Sequence, residues 1–374
     1  MKKRTKIAVV GCGGFCRGNH IPNLLANPKV ELTALCDLKP EGLERFGVPR
    51  ITTDMEELFA DPEVEGVVCA TKPDARRDVM ELAKQYKKPL FVEKPLCWGE
   101  EQTFETLELM RDFKQPFFVG FNRQFSPLMQ DALELFKRYC TKGNTTILYR
   151  IVGEARLWPK SHYAAVVDKK ESTIIHEITH IFQLFRFLTG EFPLSVNTSG
   201  GGNMDNIITL EYPRNVTAVI VAGDNGTGGF PKEYLEIDGN YTTIASYDFA
   251  ELEATCADGR FYRKRYTYTV EGKKFRTSRA VMEGKLRAFR NAVTPEQMAY
   301  GYYYDKQVCV DKGHANEMEA FRRCIAEHLP SPVDLFSGAA ANLLAYRALQ
   351  SFEEGRRISL DFTSLSKRFS RGER

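Results

Sequence analysis

No stretch of this 374-residue chain is apolar for long enough to cross a membrane. No C-x-x-C pair occurs among its nine cysteines, and no internal repeat or low-complexity tract is present. An odd cysteine count, with Cys36 and Cys69 in expected strands and Cys12 and Cys97 in turns, argues against a disulfide framework and for a reduced, cytoplasmic protein. Strong charge is also missing. A net charge of +3 gives no footprint for nucleic acid or an acidic surface as partner. The basic run that starts at Arg265 alternates like a solvated strand face. The opening MKKRTKIAVVGC superficially resembles an export signal, but its apolar run of about four residues falls short of the roughly 7 to 15 required and reads as a first strand. With 43% hydrophobic and 27% charged residues, the composition fits a soluble globular protein long enough for two domains.

What is present is organised around Lys6 to Pro22. Ile7 to Val10 reads as a buried parallel strand, and Gly11, Gly13 and Gly14 follow as a turn whose glycines are expected to supply positive φ angles and close backbone approach to a diphosphate. A helix beyond them would aim its free N–H groups at the anion. Cys16 replaces the third small residue of G-x-G-x-x-G/A. Val30 to Cys36 reads as a second strand ending in Asp37, whose carboxylate suits both ribose hydroxyls of an adenosine and favours NAD over NADP. Lys39 is the neighbour that would soften that preference.

The alternation continues with a capped helix at Thr53 to Phe59, strands at Gly66 to Thr71, Leu90 to Val92 and Phe117 to Phe121, and helices at Asp74 to Tyr86 and Glu101 to Phe113. Strands separated by such helices require parallel crossovers. After residue 121 the pattern becomes sequential strands joined by tight turns, at Thr145 to Val152, Ile207 to Tyr212, Val216 to Ala222, Glu233 to Ile237 and Phe261 to Val270, with helices at Pro127 to Tyr139, Ile174 to Leu188, Asn316 to His328 and Asp334 to Glu353. The expected fold is α/β. Residues 1–121 form a doubly wound dinucleotide-binding domain, and residues 122–374 an α/β domain with a large, mostly antiparallel open sheet.

Further motifs carry a family resemblance: Glu93, Lys94 and Pro95 after a buried strand, GFNRQFSP from Gly120, His180 within IIHEITHIFQLFRFLTG, and DKGHANEMEAF from Asp311. With the glycine turn, they make the chain resemble the glucose-fructose oxidoreductase, inositol dehydrogenase and rhizopine catabolism (Gfo/Idh/MocA) family over nearly its whole length. The resemblance implies a Rossmann domain and a substrate domain whose sheet often mediates homodimers or homotetramers. It implies hydride exchange between nicotinamide and a carbinol carbon. Lys94 would then stand beside nicotinamide and substrate hydroxyl, with His180 as the proton-transferring partner. Thr71, Lys72 and Pro73 would pass over the dinucleotide, and Phe15 and Glu93 join the expected cofactor contacts.

The residue chemistry agrees. Oxidising a secondary alcohol needs a hydride acceptor and a base for the hydroxyl proton. A half-desolvated Lys94 near a positive nicotinamide is expected to have a lowered pKa and to share a proton. His176, His180 and Gln183 form a narrow polar stripe on an otherwise apolar helix, with Glu177 adjacent. Many relatives carry Asp where His176 and Gln183 stand, which leaves the general base open. The resulting H-E-I-T-H matches a zinc-protease signature, but Gln183 and Arg186 depart from its extended form. A metal held by His176, His180 and His162 is an alternative. Arg156, Trp158, His162 and Tyr163, in the loop before that helix, suit a sugar ring. Arg123 either orients substrate or forms an ordinary salt bridge.

The expected function is NAD-dependent oxidation of a sugar, sugar derivative or cyclic polyol. The rivals are a redox-neutral glycosidase that recycles bound NAD and a non-catalytic dinucleotide sensor, the latter disfavoured because Lys94 and His180 are both present.

Overall fold

The computed structural model describes residues 3–153, 172–201, 205–226, 231–266, 268–270, 273–275 and 310–370. Contacts divide the chain into two compact units, one of Met1–Asn122, Gly313–Leu343 and Thr363–Arg374, the other of Arg123–Lys312 and Leu344–Phe362.

The first unit is built on six parallel strands: β1 (Thr5–Val10), β2 (Val30–Cys36), β3 (Arg50–Thr52), β4 (Gly66–Cys69), β5 (Leu90–Glu93) and β6 (Phe117–Gly120), in the order β3-β2-β1-β4-β5-β6. The order reverses between β1 and β4, and such a switch point opens a crevice at the carboxyl ends of the strands. Strands β4, β5 and β6 are buried along their whole length, the pattern of a parallel sheet covered on both faces. The helix after the glycine turn is broken at Asn19 into Gly14–Gly18 and His20–Ala26. The expected Thr53–Glu56 capping box does not form. That helix starts at Glu56, where Asp54 Oδ1 accepts the Glu56 N–H at 2.9 Å. The helix expected over Glu101 to Phe113 runs instead over Gly99–Leu109.

A single boundary after residue 121 leaves out a return of the chain. The helix His314–Ala326 packs on the parallel sheet where Gly66 has no side chain: a Cβ there would lie 2.4 Å from Ile325 Cδ1. Phe321 meets Phe91 and Phe118 edge-on at 5.8 and 6.0 Å. Val333 accepts the Val119 N–H at 2.9 Å, and Asn342 donates to Thr103 Oγ1 at 2.7 Å. These apolar and polar contacts are long-range in sequence, which is why periodicity did not reveal them.

The second unit carries a nine-stranded sheet. Its strands are β7 (Thr145–Val152), β8 (Ser195–Gly200), β9 (Asn206–Tyr212), β10 (Val216–Gly223), β11 (Glu233–Gly239), β12 (Thr242–Tyr247), β13 (Glu251–Thr255), β14 (Phe261–Arg265) and β17 (Ile358–Ser359). Their order is β14-β13-β12-β11-β7-β10-β9-β8-β17, antiparallel except for the parallel β7–β10 pair. A separate hairpin, β15 (Tyr268–Val270) with β16 (Lys273–Phe275), follows β14, so the run expected to be one strand from Phe261 to Val270 is divided. Alternate residues of β7, β9, β10 and β11 are buried. The covering layer includes helix Pro127–Tyr139, whose first residue is a proline tolerated at that position, and helix Thr179–Thr189, whose Phe185 packs edge-on to Tyr149 at 6.2 Å. Among the described residues no helix is long and apolar enough to cross a membrane.

Candidate active site

In the first unit the carboxyl ends of β1, β2, β4 and β5 place the residues expected to hold a dinucleotide. Gly11 has φ +85°, and a Cβ there would lie 2.5 Å from the Thr71 nitrogen, so only glycine fits between β1 and the loop after β4. Gly13 and Gly14 differ from expectation: neither has positive φ. A Cβ on either would meet no protein atom within 4 Å, and both face solvent, leaving room for close approach of a ligand to the backbone. Their role is access. Phe15 beside them is 48% exposed and packs edge-on to His20. Cys16 is buried, which satisfies the packing demand on the third small residue.

Asp37 sits just beyond β2, half-buried. Its Oδ2 accepts the Cys12 N–H at 2.6 Å and its Oδ1 the Lys39 N–H at 2.8 Å. The carboxylate is thereby aimed before any ligand arrives, with lone pairs left for ribose hydroxyls. Arg17, which the sequence reading passed over, ties this corner together: Nε donates to Cys12 O at 2.5 Å and Nη1 to Glu41 O at 2.9 Å. Its signal was only its place in the first helical turn.

Across the switch point, Thr71 and Pro73 are half-buried and Lys72 is exposed in the loop after β4. Lys94 follows β5 and is half-buried. Glu93, expected among the cofactor contacts, turns its carboxylate inward. Its Oε1 pairs with His20 Nε2 at 2.6 Å and its Oε2 accepts the Lys94 N–H at 3.1 Å. Burial would raise the Glu93 pKa, but the His20 hydrogen bond, Lys94 and Arg76 hold it below the usual carboxylate value. Gly120 beside it on β6 leaves the space, since a Cβ there would lie 3.0 Å from Glu93 Oε1. Glu317, from helix His314–Ala326, is also buried. Burial and the Glu93 charge push its carboxyl well above the usual carboxylate range. His20 and Glu317 carried no sequence signal because the contacts that define them are distant in the chain.

In the second unit, the helix expected over Ile174 to Leu188 is a π-helical turn, Ile174–Ile178, followed by an α-helix, Thr179–Thr189. Such turns recur at functional sites. His176 and Glu177 are half-buried and His180 is buried. Gln183, the last member of the polar stripe, donates to Gln124 and is an internal tie. Arg123 is an internal ion pair. Its Nε and Nη2 donate to the Glu233 carboxylate at 2.8 and 3.1 Å, and Nη2 also reaches Glu177 at 3.5 Å. Tyr149 Oη and Lys312 Nζ donate to the same Glu233 at 2.6 and 2.5 Å. Burial alone would raise Glu233, but Arg123 and Lys312 keep it well below the usual range. Asp224, just past β10, accepts Thr173 Oγ1 at 2.8 Å, and burial pushes its pKa up to about 6. Arg156, Trp158, His162 and Tyr163 lie outside the described residues. Among the described residues no three His, Cys, Asp or Glu side chains are placed to hold a metal ion.

A doubly wound sheet, a ligand-accessible glycine turn at its switch point, a pre-aimed carboxylate after β2 and a lysine after β5 define a dinucleotide-dependent oxidoreductase. Residues 5–121 match the Gfo/Idh/MocA family model, described as oxidoreductase family, NAD-binding Rossmann fold. It is 24% identical to the inositol 2-dehydrogenase of Rhizobium meliloti, covering 91% of this chain and 95% of the relative. It is likewise 24% identical to the myo-inositol 2-dehydrogenase of Thermotoga maritima, over 95% of this chain and 98% of the relative. Two solved structures share the fold. A myo-inositol dehydrogenase from Corynebacterium glutamicum has a TM-score of 0.72 and 19% identity, with 96% of this chain and 99% of that one covered. A scyllo-inositol dehydrogenase from Lactobacillus casei, solved with NAD(H) and scyllo-inositol, has a TM-score of 0.66 and 17% identity at the same coverage. The protein is an NAD-dependent oxidoreductase.

Proposed function

We propose that the protein oxidises a secondary carbinol of a cyclic polyol or a sugar, with Lys94 handling the hydroxyl proton. The observation that carries this reading is the placement of Lys94. It follows β5, across the switch point from Asp37, on a loop whose backbone is held by the buried Glu93. Bound NAD supplies the hydride acceptor. Asp37 orients the adenosine ribose, the open glycine turn admits the diphosphate, and the Lys94 amine holds the substrate hydroxyl and moves its proton. His180 is the proposed proton-transferring residue of the second unit, with His176 one turn before it and Glu177 adjacent. The polyol class is favoured because the relatives that span nearly the whole chain are named as inositol dehydrogenases.

Two finer readings accompany it. Eight described cysteines are free and buried, which supports a reducing, cytoplasmic setting. The solvent side of the nine-stranded sheet carries exposed Ile207 beside half-exposed Leu148, Val219 and Val221, a face suited to a second copy of the chain.

The test follows NADH absorbance with myo-inositol, scyllo-inositol and a panel of sugars. Lys94→Ala is expected to retain NAD binding while turnover falls by about 10²–10⁴-fold. Unchanged turnover overturns the role of Lys94.

A further inference from the structure

Arg76 opens the helix Arg76–Tyr86, is 3% exposed, and does more than lend its charge to Glu93. Its guanidinium binds three backbone carbonyls from two loops. Nε and Nη2 donate to Thr71 O at 3.1 and 2.8 Å, and Nη1 donates to both Glu93 O and Pro95 O. Thr71 belongs to the loop after β4, and Glu93 and Pro95 flank Lys94 after β5. A buried cation is costly, and a planar fork with several donors can satisfy carbonyls from two directions at once where an ammonium cannot. The chain of contacts is continuous: Gly11 presses on Thr71, Thr71 is bound by Arg76, and Arg76 holds the carbonyls on either side of Lys94.

Both loops lie in the half of the sheet that receives the nicotinamide mononucleotide, whereas Asp37 and the end of β2 lie in the adenosine half. Displacing a catalytic group by about 1 Å is enough to cost roughly 10²-fold in rate. We propose that Arg76 is a positioning residue that clamps the loop after β4 to the loop after β5 and so sets Lys94 against the nicotinamide half of the cofactor. The proposal rests on the reading of Lys94 given above.

The test needs no substrate. NADH and ADP-ribose, which lacks nicotinamide, are titrated into the full-length wild type, Arg76→Lys and Arg76→Met. In Arg76→Met, NADH affinity is expected to fall about tenfold while ADP-ribose stays within about twofold, a difference near 1.4 kcal/mol. Arg76→Lys, able to serve one loop, is expected to lose about threefold for NADH alone. An equal loss for both ligands, no loss for either, or Lys no better than Met overturns the proposal. Should the Met variant fail to fold, the Lys variant decides: an NADH-only loss supports the clamp and its absence overturns it. Lys94→Ala is assayed for turnover alongside. If it retains turnover, the reading of Lys94 fails, while the gap between NADH and ADP-ribose still reports on Arg76.

Discussion

Asp224 shows how one residue's environment decides its chemistry. Burial dominates, Thr173 and Lys232 oppose it, and Glu177 and Asp205 reinforce it, so the pKa rises from 3.8 to about 6. A carboxyl whose folded-state pKa is raised binds protons more readily when folded. Its contribution to stability is therefore complete below about pH 4 and is lost as the pH rises through about 6. Asp224→Asn, which is neutral at every pH and keeps an acceptor for Thr173, is expected to flatten that part of the stability profile. It should stabilise the protein at pH 7 by ~1–3 kcal/mol, as read by urea unfolding at pH 4, 5, 6 and 7. An identical pH slope in the variant would show that Asp224 does not titrate there. The sequence offers no hint of this group, since Asp224 lies in the connection between the strands expected at Val216 to Ala222 and Glu233 to Ile237.

At the level of elements, Glu233 joins four separate segments: the turn at Arg123, strand β7 through Tyr149, its own strand β11, and Lys312 just before helix His314–Ala326. Two cations share one buried carboxylate, so removing it takes the same partner from both. Glu233→Ala is expected to cost about 3–5 kcal/mol in unfolding free energy, with Glu233→Gln intermediate because it keeps an acceptor without the charge. Chemical denaturation checks it, and a loss below about 1 kcal/mol would mean the cations find other partners. Segments with strong periodicity were legible in advance: helix Pro127–Tyr139 and strand β7 have the boundaries read from sequence. The helix at His176 was placed correctly, yet its π-turn was not visible, because side-chain periodicity does not report which carbonyl each N–H selects.

At the scale of the whole molecule, the absence of a disulfide framework shows in the cysteines: all eight described ones are buried and free. Titration of the native protein with a thiol reagent is expected to leave these eight unreacted, with reaction only after denaturation. Rapid reaction of several thiols in the native state would contradict that burial.

The sequence by itself determined five of the six parallel strands of the first unit, all but the short β3, with the glycine turn, Asp37 after β2, Lys94 after β5 and the class of chemistry. Each of these is written in a short window: alternation of apolar runs, a cluster of glycines after a strand, a motif within a few residues. Only the tertiary structure decided which polar groups would be spent internally. Glu93 met His20, Arg123 met Glu233, Gln183 met Gln124 and Arg76 bridged two loops, so residues of similar sequence appearance became braces. The physical reason is that a buried charge or amide must be satisfied, and its partner is supplied by whichever distant segment folding brings within about 3 Å.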